Sequence, residues 1–202
     1  MAKDIAIPNN FILLGRLDMG ELISTTMKEF LDVYEPIIIE HNRQDRMIKF
    51  PNGTTVYYTN LDESKGAIKK IQSLNLGAVV LDQMEELTEG VYTALVGRLR
   101  RYNSRRMIYG AMNPNGHDWI YRRFIQEKSP DREIFVTSTL ENIYLPEDYK
   151  QSLLKMPMQW QKRFVFASFD EWVGMVYENF VEAKHKIPPY HPALDENHYV
   201  VV

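Results

Sequence analysis

Residues 75–100 read NLGAVVLDQMEELTEGVYTALVGRLR. The apolar run Ala78–Leu81 delivers one acid, Asp82, and then the acidic pair Glu85-Glu86. A short apolar run bounded by a glycine and a charge predicts a buried strand over 78–82. The segment from about Thr88 to Arg101 then switches to a helical period, with Val91, Tyr92, Leu95, Val96 and Leu99 on one stripe. A carboxylate at the carboxyl end of a buried strand lies where open α/β sheets collect ligands. It suits Mg²⁺ beside a nucleotide phosphate, because Mg²⁺ bridges carboxylate and phosphate oxygens. The plainer role for Asp82 is to cap the helix that follows.

Working outward, FILLGR (11–16) predicts a second buried strand, and residues 20–34 a helix with Ile23, Met27, Phe30, Leu31 and Tyr34 on one face. PIIIE (36–40) predicts a short strand, and 47–58 a hairpin with Asn52-Gly53 supplying two positive-φ positions. A lysine-rich helix is expected over 62–73, strands over 106–113 and 133–139, and a helix over 117–126 opened by the turn NPNG. Strands alternating with helices imply an α/β fold with a mainly parallel sheet flanked by helices. After residue 140 the pattern becomes helical, with Pro146 at a helix start.

The 202 residues carry a net charge of −3 and no cysteine. Disulfide frameworks and thiolate metal sites are excluded, and the balance argues against a chain that coats nucleic acid wholesale. Arginines cluster at 98–106 and at 122–123, where a solvated surface is as good a reading as a local basic site. No apolar run is long enough to span a bilayer. His185, His191 and His198 share the tail without a zinc spacing; His117 and Trp119, after the NPNG turn, suit helix capping and core packing, and Trp160 and Trp172 core or subdomain packing.

At the exit of the 106–113 strand, GAMNPNG places Gly110, Ala111 and Asn113. An Asn amide there can bond a phosphate oxygen or an attacking water; the plain alternative is a turn. Taken in order, IKFPNGTTVYYTNLDESKGAIKKIQSLNLGAVVLDQMEELTEGVYTALVGRLR, GAMNPNGHDWIYRRF, ENIYLPEDYKQSL and FDEWVGMVYENF resemble the large terminase subunit of tailed bacteriophages, from about Phe11 to Phe180. The resemblance implies a P-loop NTPase-like core of the ASCE/RecA type, ATP and Mg²⁺ as cofactors, and a motor that moves double-stranded DNA into a procapsid. It implies double-stranded DNA, the small terminase subunit, the portal protein and further copies in a ring as partners, no membrane, and the cytoplasm of an infected or lysogenic bacterial host.

By position, Asp82 resembles the metal-associated acid. Gln83 stands where many relatives carry a catalytic glutamate, and it is a poor base, so the acid role passes to Glu85 or Glu86, with Glu85 nearer the strand end. Gly110, Ala111 and Asn113 resemble the motif coupling hydrolysis to movement, with Asn113 the phosphate sensor. Arg16, Arg98, Arg100 and Arg101 are candidates to reach a neighbouring subunit's nucleotide.

No G-x-x-x-x-G-K-[ST] phosphate loop occurs in the 202 residues. The resemblance therefore implies a core incomplete at its N-terminus over 1–140, a helical linker over 141–183, and a tail over 184–202 leading towards an RNase H-like nuclease. It also implies little ATPase activity without the phosphate loop. Two other readings remain open on sequence: a non-catalytic remnant of the fold acting as a nucleotide-independent binding or assembly module, favoured by Gln83 and the missing phosphate loop, and a helicase-like ATPase, which would usually repeat the core.

Overall fold

The apolar run 11–16 forms the centre of the sheet because five of its six residues are buried. A computed structural model of the chain describes residues 1–169, which fall within one contact unit, Met1–Glu171. The expected tail 184–202, Trp172 and the end of the expected linker lie outside the described residues.

Six strands form one sheet: β1 (Phe11–Arg16), β2 (Glu40–Asn42), β3 (Met47–Lys49), β4 (Thr55–Asn60), β5 (Ala78–Leu81) and β6 (Met107–Gly110), in the order β2-β3-β4-β1-β5-β6. β1 runs parallel to β4 and β5, and β5 parallel to β6. The hairpin strands β2 and β3 add an antiparallel margin to β4. Leu14 sits opposite Tyr58 and Val80, so the central strands are apolar on both faces, as parallel strands require. One face packs Leu13, Val79, Leu81, Leu87, Val91 and Leu95; the other packs Ile12, Leu14, Leu22, Met27, Phe30 and Phe50.

Several expectations are corrected. The helix over 19–34 contains a π-helical turn, Leu22–Thr26, between α-helical turns. A π turn takes an extra residue, so the residue facing the core one turn before Met27 is Leu22, fully buried, while Ile23 is exposed. The strand expected over 36–40 starts only at Glu40, because Pro36 sets a 3₁₀ turn over Glu35–Ile37. The β3–β4 connection spans five residues, and of its Asn-Gly pair only Gly53 has positive φ. The helix Glu89–Val96 stops at Gly97, which leaves Val96 exposed.

The strand expected over 133–139 does not form. β6 ends the sheet order, and nothing among the described residues pairs with its outer edge. A strand exists only with a ladder partner, and Phe135 stands 82% exposed. The helices expected after residue 140 form, as Glu147–Leu153 and, over 158–165, an α turn followed by a π turn. Trp160, expected to be packed, is exposed and stacks on Phe164. Among the described residues no helix is long and apolar enough to cross a membrane.

Candidate functional site

The parallel pairing puts the carboxyl ends of β4, β1, β5 and β6 along one edge of the sheet. Two of the segments leaving that edge, at the ends of β5 and β6, carry all seven residues that the sequence singled out as catalytic, metal-binding or nucleotide-binding. Asp82 follows the last residue of β5, and its N–H continues the ladder by donating to the Gly15 carbonyl at 2.9 Å. Its side chain is 30% exposed, on the rim of the sheet and not in the core.

Two residues from β1 and the helix behind it seat that carboxylate. The Thr26 hydroxyl donates to Asp82 Oδ2 at 2.5 Å. Arg16, the last residue of β1 and 9% exposed, lies 3.7 Å from the same oxygen, 2.6 Å from Glu21 Oε2 and 3.7 Å from Glu86 Oε2. Its Nη1 also donates to the Thr25 hydroxyl at 3.1 Å. The π turn carries both threonines. The extra residue in that turn lets Leu22 and Met27 both face the core, while the Thr25 and Thr26 hydroxyls reach the strand ends. π turns recur at functional sites for this kind of reason.

Three carboxylates thus surround one guanidinium, an arrangement that leaves net negative charge open to a cation. Among the described residues no three His, Cys, Asp or Glu side chains are placed to share a metal. That donor set suits Mg²⁺, which binds through one or two carboxylates together with phosphate oxygens and water.

The chain after Asp82 turns sharply. Gln83 adopts the left-handed region, φ 51° and ψ 54°. This brings Met84 N–H onto the Ala111 carbonyl at 2.9 Å, while Ala111 N–H donates to the Leu81 carbonyl at 2.9 Å. Gly110 gives the Met84 side chain its room here, because a Cβ would sit 2.2 Å from Met84 Sδ and push it aside. Glu85 Oε1 accepts the Asn113 N–H at 3.0 Å, and its Oε2 is buried without a hydrogen bond. Burial raises the Glu85 pKa above the ordinary glutamate range; the Asn113 N–H opposes that shift and the Glu86 charge adds to it.

The expected site residues therefore divide into two sets. Asp82 and Glu86 gather on Arg16, whereas Met84 and Glu85 tie the loop after β5 to Ala111 and Asn113 beyond β6. It is the Asn113 backbone, not its amide, that makes this bond. His117, weighed as a helix cap, instead stacks on Tyr121; Asp118 caps the helix. Trp119 donates to the Leu87 carbonyl at 2.8 Å and packs on Tyr92.

Sequence reading missed Thr26, and it placed Arg16 among arginines reaching out to a neighbour. Arg16 is engaged inside its own chain. Arg101 bonds the Asn9 carbonyl and Arg98 the Gln72 carbonyl. Asn9 precedes β1, so Arg101 belongs to the opposite edge of the sheet from Asp82. A charged residue closing an apolar strand is the one sequence signal that pointed to Arg16.

No curated protein sequence matches the chain. Among solved structures, the large terminase of a thermophilic bacteriophage superposes with a TM-score of 0.69 at 15% identity, over 92% of this chain and 47% of that one. The same terminase in complex with ADP gives 0.66 at 18%, over 94% and 48%. The large terminase of bacteriophage HK97 gives 0.54 at 11%, over 80% and 40%. The chain thus spans about half the length, or less, of the structures it matches, and it shares with them a P-loop NTPase-like fold. The profile of the phage terminase large subunit family matches residues 25–168, from the π turn through both loops of the site to the last helix described. The chain belongs to the phage terminase large subunit family.

Proposed function

We propose that this chain forms the hydrolysis-sensing part of a DNA-packaging ATPase, in which Asp82 faces the Mg²⁺ of a bound ATP. The observation that carries this reading is the position of Asp82: on the carboxyl rim of a parallel sheet, hydrogen-bonded by Thr26 and flanked by Arg16. When bound, Mg²⁺ would neutralise charge building up on the transferred phosphoryl group. Asp82 would hold it, with Thr26 and Arg16 fixing the carboxylate.

Glu85 is the residue best suited to accept a proton from water. Its burial moves its pKa towards the working pH, where a general base is most effective. The same side chain touches the Asn113 backbone, so a change in its charge is felt directly at the loop after β6. Gly110, Ala111 and Asn113 would convert that change into movement of β6.

The phosphate-binding loop would come from a strand added to the outer edge of β6, between it and residues 133–138. Supporting this are the unpaired edge of β6 among the described residues and the exposed Phe135 and Val136, which lie in the next segment of strand composition along the chain. Double-stranded DNA, the small terminase subunit, the portal protein and further copies in a ring are the partners this reading implies, with the host cytoplasm as its place of action.

The test joins these 202 residues to the phosphate-loop segment of a large terminase and measures ATP hydrolysis. The expected result is turnover that Asp82→Ala lowers by about a hundredfold or more, the scale of losing a transition-state charge contact. Turnover unaffected by Asp82→Ala overturns the reading. Gln83 favours a second reading, an assembly module of the same fold without hydrolysis. Absence of both turnover and nucleotide binding in the joined, folded protein would support that nucleotide-independent module.

A further inference from the structure

Beyond the Asp82 site, the carboxyl edge of the sheet carries a second feature. A cavity of about 350 Å³ opens where β4 ends and the helix Lys65–Ser73 packs against it. Its inner wall is apolar, made by buried Tyr57 and Ile71. Two cations reach it, Arg46 and Lys70, together with the Thr59 hydroxyl and the carboxylate of Asp62.

Arg46 is fixed there by the fold. It closes the β2–β3 turn in the left-handed region, φ 57°. Its carbonyl accepts the Tyr58 N–H at 3.0 Å, and its Nη1 lies 3.5 Å from Thr59 Oγ1. The guanidinium is thus held along β4. Lys70 comes from an exposed turn of the facing helix. The opposing carboxylate is already occupied: Asp62 Oδ1 accepts the Ser64 N–H at 2.8 Å, and Oδ2 accepts the Asn60 amide at 2.7 Å. Two cationic donor groups outnumber one engaged carboxylate, so the cavity favours an anion over a metal ion. Its volume lies in the range of small-ligand sites, about 300–1,000 Å³, and exceeds what a bare phosphate needs.

We propose that this cavity binds a phosphate group carried on a larger molecule, with Arg46 and Lys70 as its charged contacts and the Tyr57–Ile71 wall against the organic part. Guanidinium and ammonium groups are the usual partners of phosphate oxygens. The site is wired to its neighbour. Leu61 N–H donates to the Arg16 carbonyl at 2.8 Å, and Glu63 Oε1 accepts from the Thr88 hydroxyl at 2.5 Å, at the cap of the helix that follows Glu86. The proposal holds whether or not the protein hydrolyses ATP.

The experiment titrates the 202-residue chain with inorganic phosphate, then ADP, then a short DNA duplex, and follows backbone amide shifts by NMR. Shifts centred on Arg46 and Asn60–Ser64 are expected. Arg46→Gln and Lys70→Gln should each weaken binding by about tenfold, the scale of one charge-assisted hydrogen bond, while Arg43→Gln on the exposed hairpin turn leaves it unchanged. Asp62→Asn should tighten it several-fold; weakening by that substitution would mean a cation site and overturns the proposal. A gain in affinity for ADP over inorganic phosphate assigns the phosphate to a nucleotide. A gain for the duplex assigns it to a nucleic-acid backbone, and there Lys70→Gln should reduce the dependence of log K on log salt by about 0.9. Either gain supports the site. No shift at these residues with any of the three probes overturns it, and the amide spectrum of each variant, compared with that of the unsubstituted chain, separates lost binding from misfolding.

Discussion

Replacing Thr26 with valine deletes the hydroxyl that holds Asp82 while keeping the branched shape of the side chain. A hydrogen bond to a charged group contributes about 1.5–3 kcal/mol when shielded. Asp82 is 30% exposed, so water replaces part of what is lost, and about 1 kcal/mol is expected for Thr26→Val. For a domain of this size that lowers Tm by about 2–4 °C. Asp82→Ala alone acts through more than one contact, because it also changes the field around Arg16, Glu21 and Glu86. The informative quantity is therefore the coupling between the two sites. Urea unfolding of the wild type, Thr26→Val, Asp82→Ala and the double variant gives it directly, because each substitution removes the hydrogen bond. The reasoning predicts a coupling of about 1 kcal/mol; a value below about 0.3 kcal/mol, the level at which independent sites simply add, would refute the claim that Thr26 seats Asp82.

Other substitutions probe the rest of the site. Arg16→Met leaves Glu21, Asp82 and Glu86 without their shared cation; because those carboxylates are 30–54% exposed and water takes over part of the contact, it should destabilise by about 1 kcal/mol; chemical denaturation measures it. Glu85 has a pKa raised by burial, so the folded state binds its proton more tightly than the unfolded state. Its ionisation then costs stability as pH rises through the window from the ordinary glutamate value up to the raised one. Glu85→Gln should be the more stable protein at neutral pH, with the difference shrinking as pH falls below that window, read from Tm against pH. Gly110→Ala places a methyl 2.2 Å from Met84 Sδ and should cost about 1–2 kcal/mol of overpacking, relieved in the double variant with Met84→Ala.

Much of the sheet could be read from the chain because its signals are local. The runs 11–16 and 78–81 are apolar on both faces, as strands buried in a parallel sheet must be. Asp82 was legible for the same reason, being the first charge after such a run. What local pattern could not show is pairing across distance. Thr26 and Asp82 are separated by 56 residues, and nothing in the STT of the helix marks one threonine as a partner to a strand end. The π turn shifts the core-facing residue from Ile23 to Leu22, a change of register that a 3.6-residue period cannot express. The segment 133–139 has the composition of a strand and is not one, because β-propensity reports fit to a neighbouring strand rather than a preference of the backbone alone.

The central claim is that Asp82 holds the metal of a bound nucleotide. It is tested most directly by titrating Mn²⁺ by EPR into the protein joined to a terminase phosphate-loop segment and loaded with ATP, comparing wild type with Asp82→Asn. The account predicts that the substitution weakens Mn²⁺ binding by about tenfold or more, on the scale of lost metal-site contacts, while affinity for metal-free ATP stays unchanged. Equal Mn²⁺ affinity in the two proteins would contradict it.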